Sequence, residues 1–170
     1  MTREELELIV TGFMDSHTTL TLACSIRDRP WAAAVYYARQ DLELVFFSSP
    51  SSRHATVLAE NPEAAATIHG SYTGWKEIKG LQMEGKVETL SGAVDRARAL
   101  ATYVKRFPFV TEFFSDPLSI GAETAKKIAK VRLYVFRPEV ILYVNNEEGF
   151  GKRWRLDVKN GRAVGTPTRA

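Results

Sequence analysis

Two hydrophobic periods alternate along the chain. Leu6, Ile9, Val10 and Phe13 recur at helical spacing behind Thr2 and Glu5, which fit a capping box, so residues 3–14 read as an amphipathic helix. From Thr18 the period falls to two. Leu20, Leu22, Cys24 and Ile26 alternate with Thr19, Thr21, Ala23 and Ser25, the pattern of a half-buried strand. Asp28 to Pro30 supply a turn. Trp31 to Ala38 reads as a second strand, apolar at nearly every position, then Arg39, Gln40 and Asp41 as a short turn and Leu42 to Phe47 as a third strand. These three predict an antiparallel meander.

A short helix is expected from Ser52 to Glu60, stopped by Asn61 and Pro62, with a fourth strand from Ala64 to Ser71. Ser71 to Lys79, which holds Gly74 and Trp75, reads as a loop or hairpin. Leu81 to Leu90 is a fifth strand in which Gly85 marks a bulge or a close backbone approach. Ala93 to Lys105 is helical, with Val94, Ala97, Ala101 and Val104 on one face. Pro108 and Pro117 punctuate an aromatic stretch of Phe107, Phe109, Phe113 and Phe114. Residues 128–137 and 139–145 read as two strands broken by Pro138, and Trp154 to Val158 as a last one. Asn160 to Ala170, rich in Gly, Thr and Pro, reads as a frayed tail. There is no internal repeat and no linker. The pattern predicts a mainly β (α+β) fold: a small antiparallel β-barrel of six to seven strands with flanking helices. It occupies one domain, residues 1–158, and residues 159–170 follow as a flexible tail.

Composition narrows the function classes. A chain of 170 residues with 45% hydrophobic and 25% charged positions can bury a sizeable core. A net charge of +3, with no dense basic block beyond residues 152–155, argues against a nucleic-acid partner. No apolar run reaches the roughly 18 residues of a membrane helix. The acidic, polar N-terminus is not a secretory signal. The single cysteine, Cys24, excludes an intramolecular disulfide and alternates with Leu22 and Ile26 as a core residue. A soluble cytoplasmic protein is the expectation. His17, His54 and His69 lack ligand spacing, so no metal site is expected. No paired carboxylates and no serine nucleophile elbow are present.

The chemistry concentrates in FFSSPSSRHATVL, residues 46–58, where a strand hands over to a helix. Ser52 as a plain helix cap is one reading. The other is an anion pocket, because a helix start presents unpaired N–H groups and partial positive charge. On that reading Ser48, Ser49 and Ser52 add hydroxyl donors and Arg53 a permanently charged fork. The preceding strand, Trp31 to Tyr37, carries three alanines between aromatic ends. It could floor a flat ring or pack tightly against a helix.

Taken in order, PWAAAVYY (residues 30–37), LELVFFSSPSSRH (42–54), NPEAAATI (61–68) and GLQMEGKVE (80–88) resemble the pyridoxamine 5'-phosphate oxidase-like FMN-binding split-barrel family. A closer likeness is to a bacterial branch that shares Gly80 to Gly85, Arg106-Phe107-Pro108 and Gly149-Phe150-Gly151-Lys152. The resemblance implies a split β-barrel, FMN as cofactor, and a homodimer with sites at the subunit interface. Carried over, Ser48, Ser52 and Arg53 match phosphate-binding positions, with Ser49 and His54 beside them. Ala33, Ala34, Val35 and Tyr36 match strand positions along the ring. Gln82 matches the ring's far edge, and Lys152 belongs to a loop that could fold over FMN, including a partner subunit's.

Two departures from the family stand out. His54 replaces a lysine, making that charge pH-dependent. Tyr103 to Phe109 replace the segment that grips the vitamin phosphate in the true oxidase, so a small-molecule substrate other than pyridoxamine phosphate is expected. No acid or base is assigned, with Tyr36 and Lys152 as candidates. An FMN-dependent oxidoreductase is the first reading. A non-enzymatic flavin- or haem-binding protein, with His17 or His69 on iron, is the alternative, and a deazaflavin-binding barrel is a third.

Overall fold

The computed structural model describes residues 1–111, 126 and 130–170. Helix α1 (Arg3–Ser16) opens with both bonds of the Thr2/Glu5 capping box in place. It buries Leu6, Val10 and Met14, one residue per turn, and leaves Ile9 and Phe13 half-buried at the edge of the same core. Strands β1 (Thr19–Ile26), β2 (Arg29–Tyr36), β3 (Ala38–Gln40) and β4 (Glu43–Ser48) follow, then α2 (Arg53–Glu60) and β5 (Glu63–His69). After them come β6 (Lys79–Thr89), α3 (Ala93–Arg106), β7 (Arg132–Asn145), β8 (Arg153–Lys159) and β9 (Arg162–Arg169).

Among the described residues these strands make one antiparallel sheet in the order β2-β1-β5-β6-β7-β4-β3, with β8 and β9 continuing from β7. The two ends of that path, β2 and β3, are neighbours in the chain with only Tyr37 between them. The sheet therefore curls until its edges meet, which is the split-barrel form. This also corrects the expected second strand. The chain bends at Tyr37: residues 29–36 pair with β1, while Ala38–Gln40, where a turn was expected from Arg39, pair with β4. The buried Tyr37 hydroxyl fixes the bend by donating to the Met14 carbonyl at 2.6 Å.

Leu20, Leu22, Leu44, Phe46, Leu81 and Ile141 fill the barrel, with α1 and α2 closing over them. Each such side chain contributes about 1.5–3 kcal/mol of burial. A second, smaller core lies outside the barrel, where Ala99, Tyr103 and Phe107 pack on Ala38, Val45, Leu133 and Val135. So α3 turns Ala99 and Tyr103 inward, and not the expected stripe: Val94 is 81% exposed, Ala97 and Ala101 are exposed, and Val104 is half-buried. The aromatic ring at position 103 decides the face, because it covers far more apolar area than an alanine.

Three further expectations meet the structure. Gly85 sits at a register shift: Glu84 faces Val140 and Gly85 faces Pro138, leaving Glu139 as the extra residue of a bulge. A Cβ on Gly85 would drive into the Arg137 carbonyl oxygen and lie 2.8 Å from the Arg137 carbonyl carbon and Pro138 Cα. The bulge also absorbs Pro138, so the two strands expected there are one, β7. Finally, residues 162–169 are not frayed. Asn160 and Gly161 both take positive φ (52° and 72°), the turn that suits a two-residue hairpin, and β9 pairs with β8. Phe113, Phe114, Pro117, Lys127 and positions 128–129 lie outside the described residues. No helix among the described residues is long and apolar enough to cross a membrane.

Candidate functional site

The strand-to-helix corner is compact and polar. Ser48 ends β4, where it is buried beneath the surface and lies opposite Arg132 of β7. Ser52 caps α2 by accepting from the Ala55 amide at 3.3 Å. His54, in the first turn of α2, points its Nε2 at both hydroxyls, 2.6 Å from Ser48 Oγ and 3.1 Å from Ser52 Oγ. The two hydroxyls are 3.0 Å apart. Ser49 stands outside this triangle and pairs with Ser51 Oγ at 2.8 Å. Ser52 is thus the helix cap of the first reading, and its hydroxyl also converges with Ser48 and His54.

Arg53 is exposed, and its guanidinium lies over the Trp31 ring, 4.2 Å from the centroid. No carboxylate bonds to Arg53, His54, Ser48 or Ser52 among the described residues. The backbone N–H groups of Arg53 and His54, the first two of the helix, have no acceptor there either. The corner thus gathers a guanidinium, two helix-start amides and two hydroxyls, none of them engaged by a carboxylate among the described residues. Burial pushes the His54 imidazole below its ordinary value, so the free protein holds it neutral near pH 7. Burial likewise raises the Cys24 thiol, against the opposing charge of Arg53, and leaves it an inert core residue.

The β2 residues carried over as a ring floor divide between two faces. Val35 is a core residue and Ala33 is half-buried on the same inward side. Ala34 and Tyr36 face outward and are exposed, Tyr36 with its ring edge-on to Phe107 at 5.5 Å. What Val35 offers a ligand is backbone. The outward face of the barrel continues from Ala34 across Thr21 and Thr67 to Gln82 by register. There a hollow of about 310 Å³ is lined by Thr21, Ala23, Ala65, Thr67, Gln82 and Leu142, among others. Gln82 is exposed, and its partner is Arg153, whose Nε donates to Gln82 Oε1 at 3.2 Å. Lys152 instead folds back over Gly149, whose φ of 134° only glycine adopts readily. Gln82 and Lys152 therefore belong to a second neighbourhood, at the β7–β8 end of the sheet, and are not gathered at the serine corner.

Sequence reasoning did not foresee the pairing of Trp31 with Arg53 or of Arg153 with Gln82. The only signals were proximity in the chain: Trp31 lies in the strand that ends in Tyr36, and Arg153 follows Lys152 directly. Arg106 and Phe107 of the Arg106-Phe107-Pro108 motif are engaged within the fold. Arg106 donates to the carbonyl of Asp15 at 3.0 Å and to that of His17, and so ties α3 to the end of α1. Phe107 is buried beside Tyr103. His17 stacks on Phe13 with ring centroids 4.2 Å apart, and its Nδ1 meets the Phe13 carbonyl at 2.9 Å. His69 lies on the other side of Gly70, with Nδ1 at the Gly70 carbonyl.

The family model for pyridoxamine 5'-phosphate oxidase matches residues 9–145, most of the chain and every element of this corner. The chain belongs to the pyridoxamine 5'-phosphate oxidase family. A UPF0306 protein of Klebsiella pneumoniae is 29% identical over 149 residues, covering 85% of this chain and 90% of its own length. A haem-binding protein of Mycobacterium smegmatis shares the fold with a TM-score of 0.66 at 19% identity, over 87% of this chain and 56% of that one. A FAD-binding protein of Mesorhizobium loti does so with a TM-score of 0.58 at 19% identity, over 79% of this chain and 88% of that one. Members of this fold therefore include flavin-binding and haem-binding proteins.

Proposed function

We propose that the protein binds FMN, with its phosphate at Ser48, Ser52, Arg53 and the first amides of α2, and acts as an FMN-dependent oxidoreductase. The observation that carries this reading is the exposed Arg53 guanidinium, engaged by no carboxylate among the described residues, beside two converging hydroxyls at a helix start. Each charge-assisted bond there contributes about 1.5–3 kcal/mol net, enough for several such contacts to anchor a phosphate once apolar contacts to the ring are added. The outward face of Ala34 and Tyr36 supplies the adjoining wall. The flavin brings hydride chemistry, and this chain supplies placement and charge.

Pyridoxamine phosphate is not the substrate on this reading. The segment that would grip its phosphate is committed elsewhere, with Arg106 bonded to α1 carbonyls and Tyr103 and Phe107 buried. The functional unit is a cytoplasmic homodimer whose two copies meet over the small-residue outer face of β1 and β5 and the adjoining Gln82 of β6. The exposed Phe150 and Trp75 pair, 5.8 Å apart, then lies at the rim of the partner's site.

The fold of the Mycobacterium smegmatis protein supports haem as the second reading, with the Nε2 of His17 or His69, which makes no hydrogen bond among the described residues, as the axial ligand. The visible spectrum of purified protein after addition of FMN or hemin separates the two. Flavin bands with quenched fluorescence support the first, a Soret band the second, and indifference to both cofactors overturns both. Sedimentation at micromolar concentration tests the dimer.

A further inference from the structure

Arg53 is held without using any of its donors. Its guanidinium lies over the face of Trp31 at 4.2 Å, and it makes no hydrogen bond or ion pair among the described residues. Stacking of this kind engages the flat face of the cation and leaves all five N–H groups, which lie in its plane, at the edge. A carboxylate partner would have fixed the same side chain but spent those donors and cancelled the charge. The sheet sets Trp31 where it can reach the guanidinium. The residue pairs with Cys24 on β1, on the inward face that also carries Ala33 and Val35, at the end of β2 nearest α2. It remains 36% exposed, a large cost in solvated apolar area for an aromatic that serves only packing.

We propose that Trp31 is a positioning residue for anion capture: it holds the Arg53 guanidinium face-on and edge-free beside Ser48 and Ser52. Arginine otherwise retains much rotamer freedom, which binding must remove. The indole removes it beforehand. This inference rests on the phosphate site proposed above, but it makes a claim that site does not require.

The test is a thermodynamic cycle on the full chain. FMN and riboflavin, which lacks the phosphate, are titrated by flavin fluorescence into wild type, Trp31→Leu, Trp31→Phe, Arg53→Ala and the Trp31→Leu/Arg53→Ala double variant. The stacking energy of an exposed pair sets the expected effect. Trp31→Leu weakens FMN about 2- to 5-fold. It leaves riboflavin unchanged and costs nothing further once Arg53 is gone. Trp31→Phe, which keeps an aromatic face, falls between wild type and Trp31→Leu. Equal losses for FMN and riboflavin, or a loss that persists in the Arg53→Ala background, would overturn the proposal, since either makes Trp31 part of the general wall. Wild type that binds FMN with no response to Trp31 overturns the stacking role alone. Wild type that binds no FMN overturns the cofactor reading and this inference with it.

Discussion

His54→Lys is the substitution that reveals most about the corner. In the free protein burial disfavours the imidazolium, so His54 is neutral near pH 7, with Nε2 against Ser48 and Ser52. The charged residues on the elements that face it are Arg53 on its own helix and Arg132 on β7, opposite Ser48; no carboxylate bonds to it among the described residues. A phosphate held by those same hydroxyls places an opposite charge within range of the ring. An opposite charge that close strengthens proton affinity by about 10- to 1000-fold, and His54 is half-exposed to solvent, which favours the lower end. Binding then takes up a proton. The sign follows from linkage. Affinity is greatest below the imidazole's free-state value, falls as pH rises towards its value in the complex, and is flat above that. FMN titrates too, its second phosphate ionisation lying near pH 6, and this works in the opposite direction. His54→Lys keeps a cation throughout and so isolates the ligand's part. With FMN affinity measured by fluorescence quenching from pH 5.5 to 8.5, the ratio of wild-type to variant Kd is expected to rise about tenfold. A ratio that stays constant across that range refutes proton-coupled binding at His54.

Two variants test the frame that holds the site. Gly85→Ala forces a methyl into the Arg137 and Pro138 backbone, which cannot yield as a side chain could, and is expected to lower stability by about 2–3 kcal/mol in urea unfolding. Arg106→Met removes charge-assisted bonds to the carbonyls at the end of α1. It should cost about 3 kcal/mol in the same assay while leaving FMN affinity unchanged, whereas a loss of binding with intact stability would return the Arg106-Phe107-Pro108 motif to the site.

How far the sequence carried depended on whether the deciding physics was local. The capping box of α1, the Ser52 cap and the Gly85 bulge were legible because each rests on contacts a few residues apart or on a residue with few alternatives. The Asn160-Gly161 hairpin was equally local and was obscured by the Gly, Thr and Pro content that follows it. Other features were non-local. Period alone could not say that the ring of Tyr103 outweighs the stripe of Val94, Ala97, Ala101 and Val104. Nor could it show that a bulge opposite Gly85 lets Pro138 sit inside a strand. The site divides in the same way. Ser48, Ser52, Arg53 and His54 cluster because the short turn between β4 and α2 brings them together. The contacts of Arg53 with Trp31 and of Arg153 with Gln82 join segments 22 and 71 residues apart, set only by the order of strands.

The central claim is capture of a phosphate at the start of α2, and Arg53→Ala tests it most directly. The side chain is exposed and makes no hydrogen bond or ion pair among the described residues, unlike Ser52, whose loss would also uncap the helix. Calorimetric titration of FMN and riboflavin into the variant and wild type is expected to show FMN weakened about 10- to 150-fold, the worth of one charge-assisted bond, with riboflavin unaffected. FMN affinity equal to that of wild type, or losses of the same size for both ligands, would contradict it.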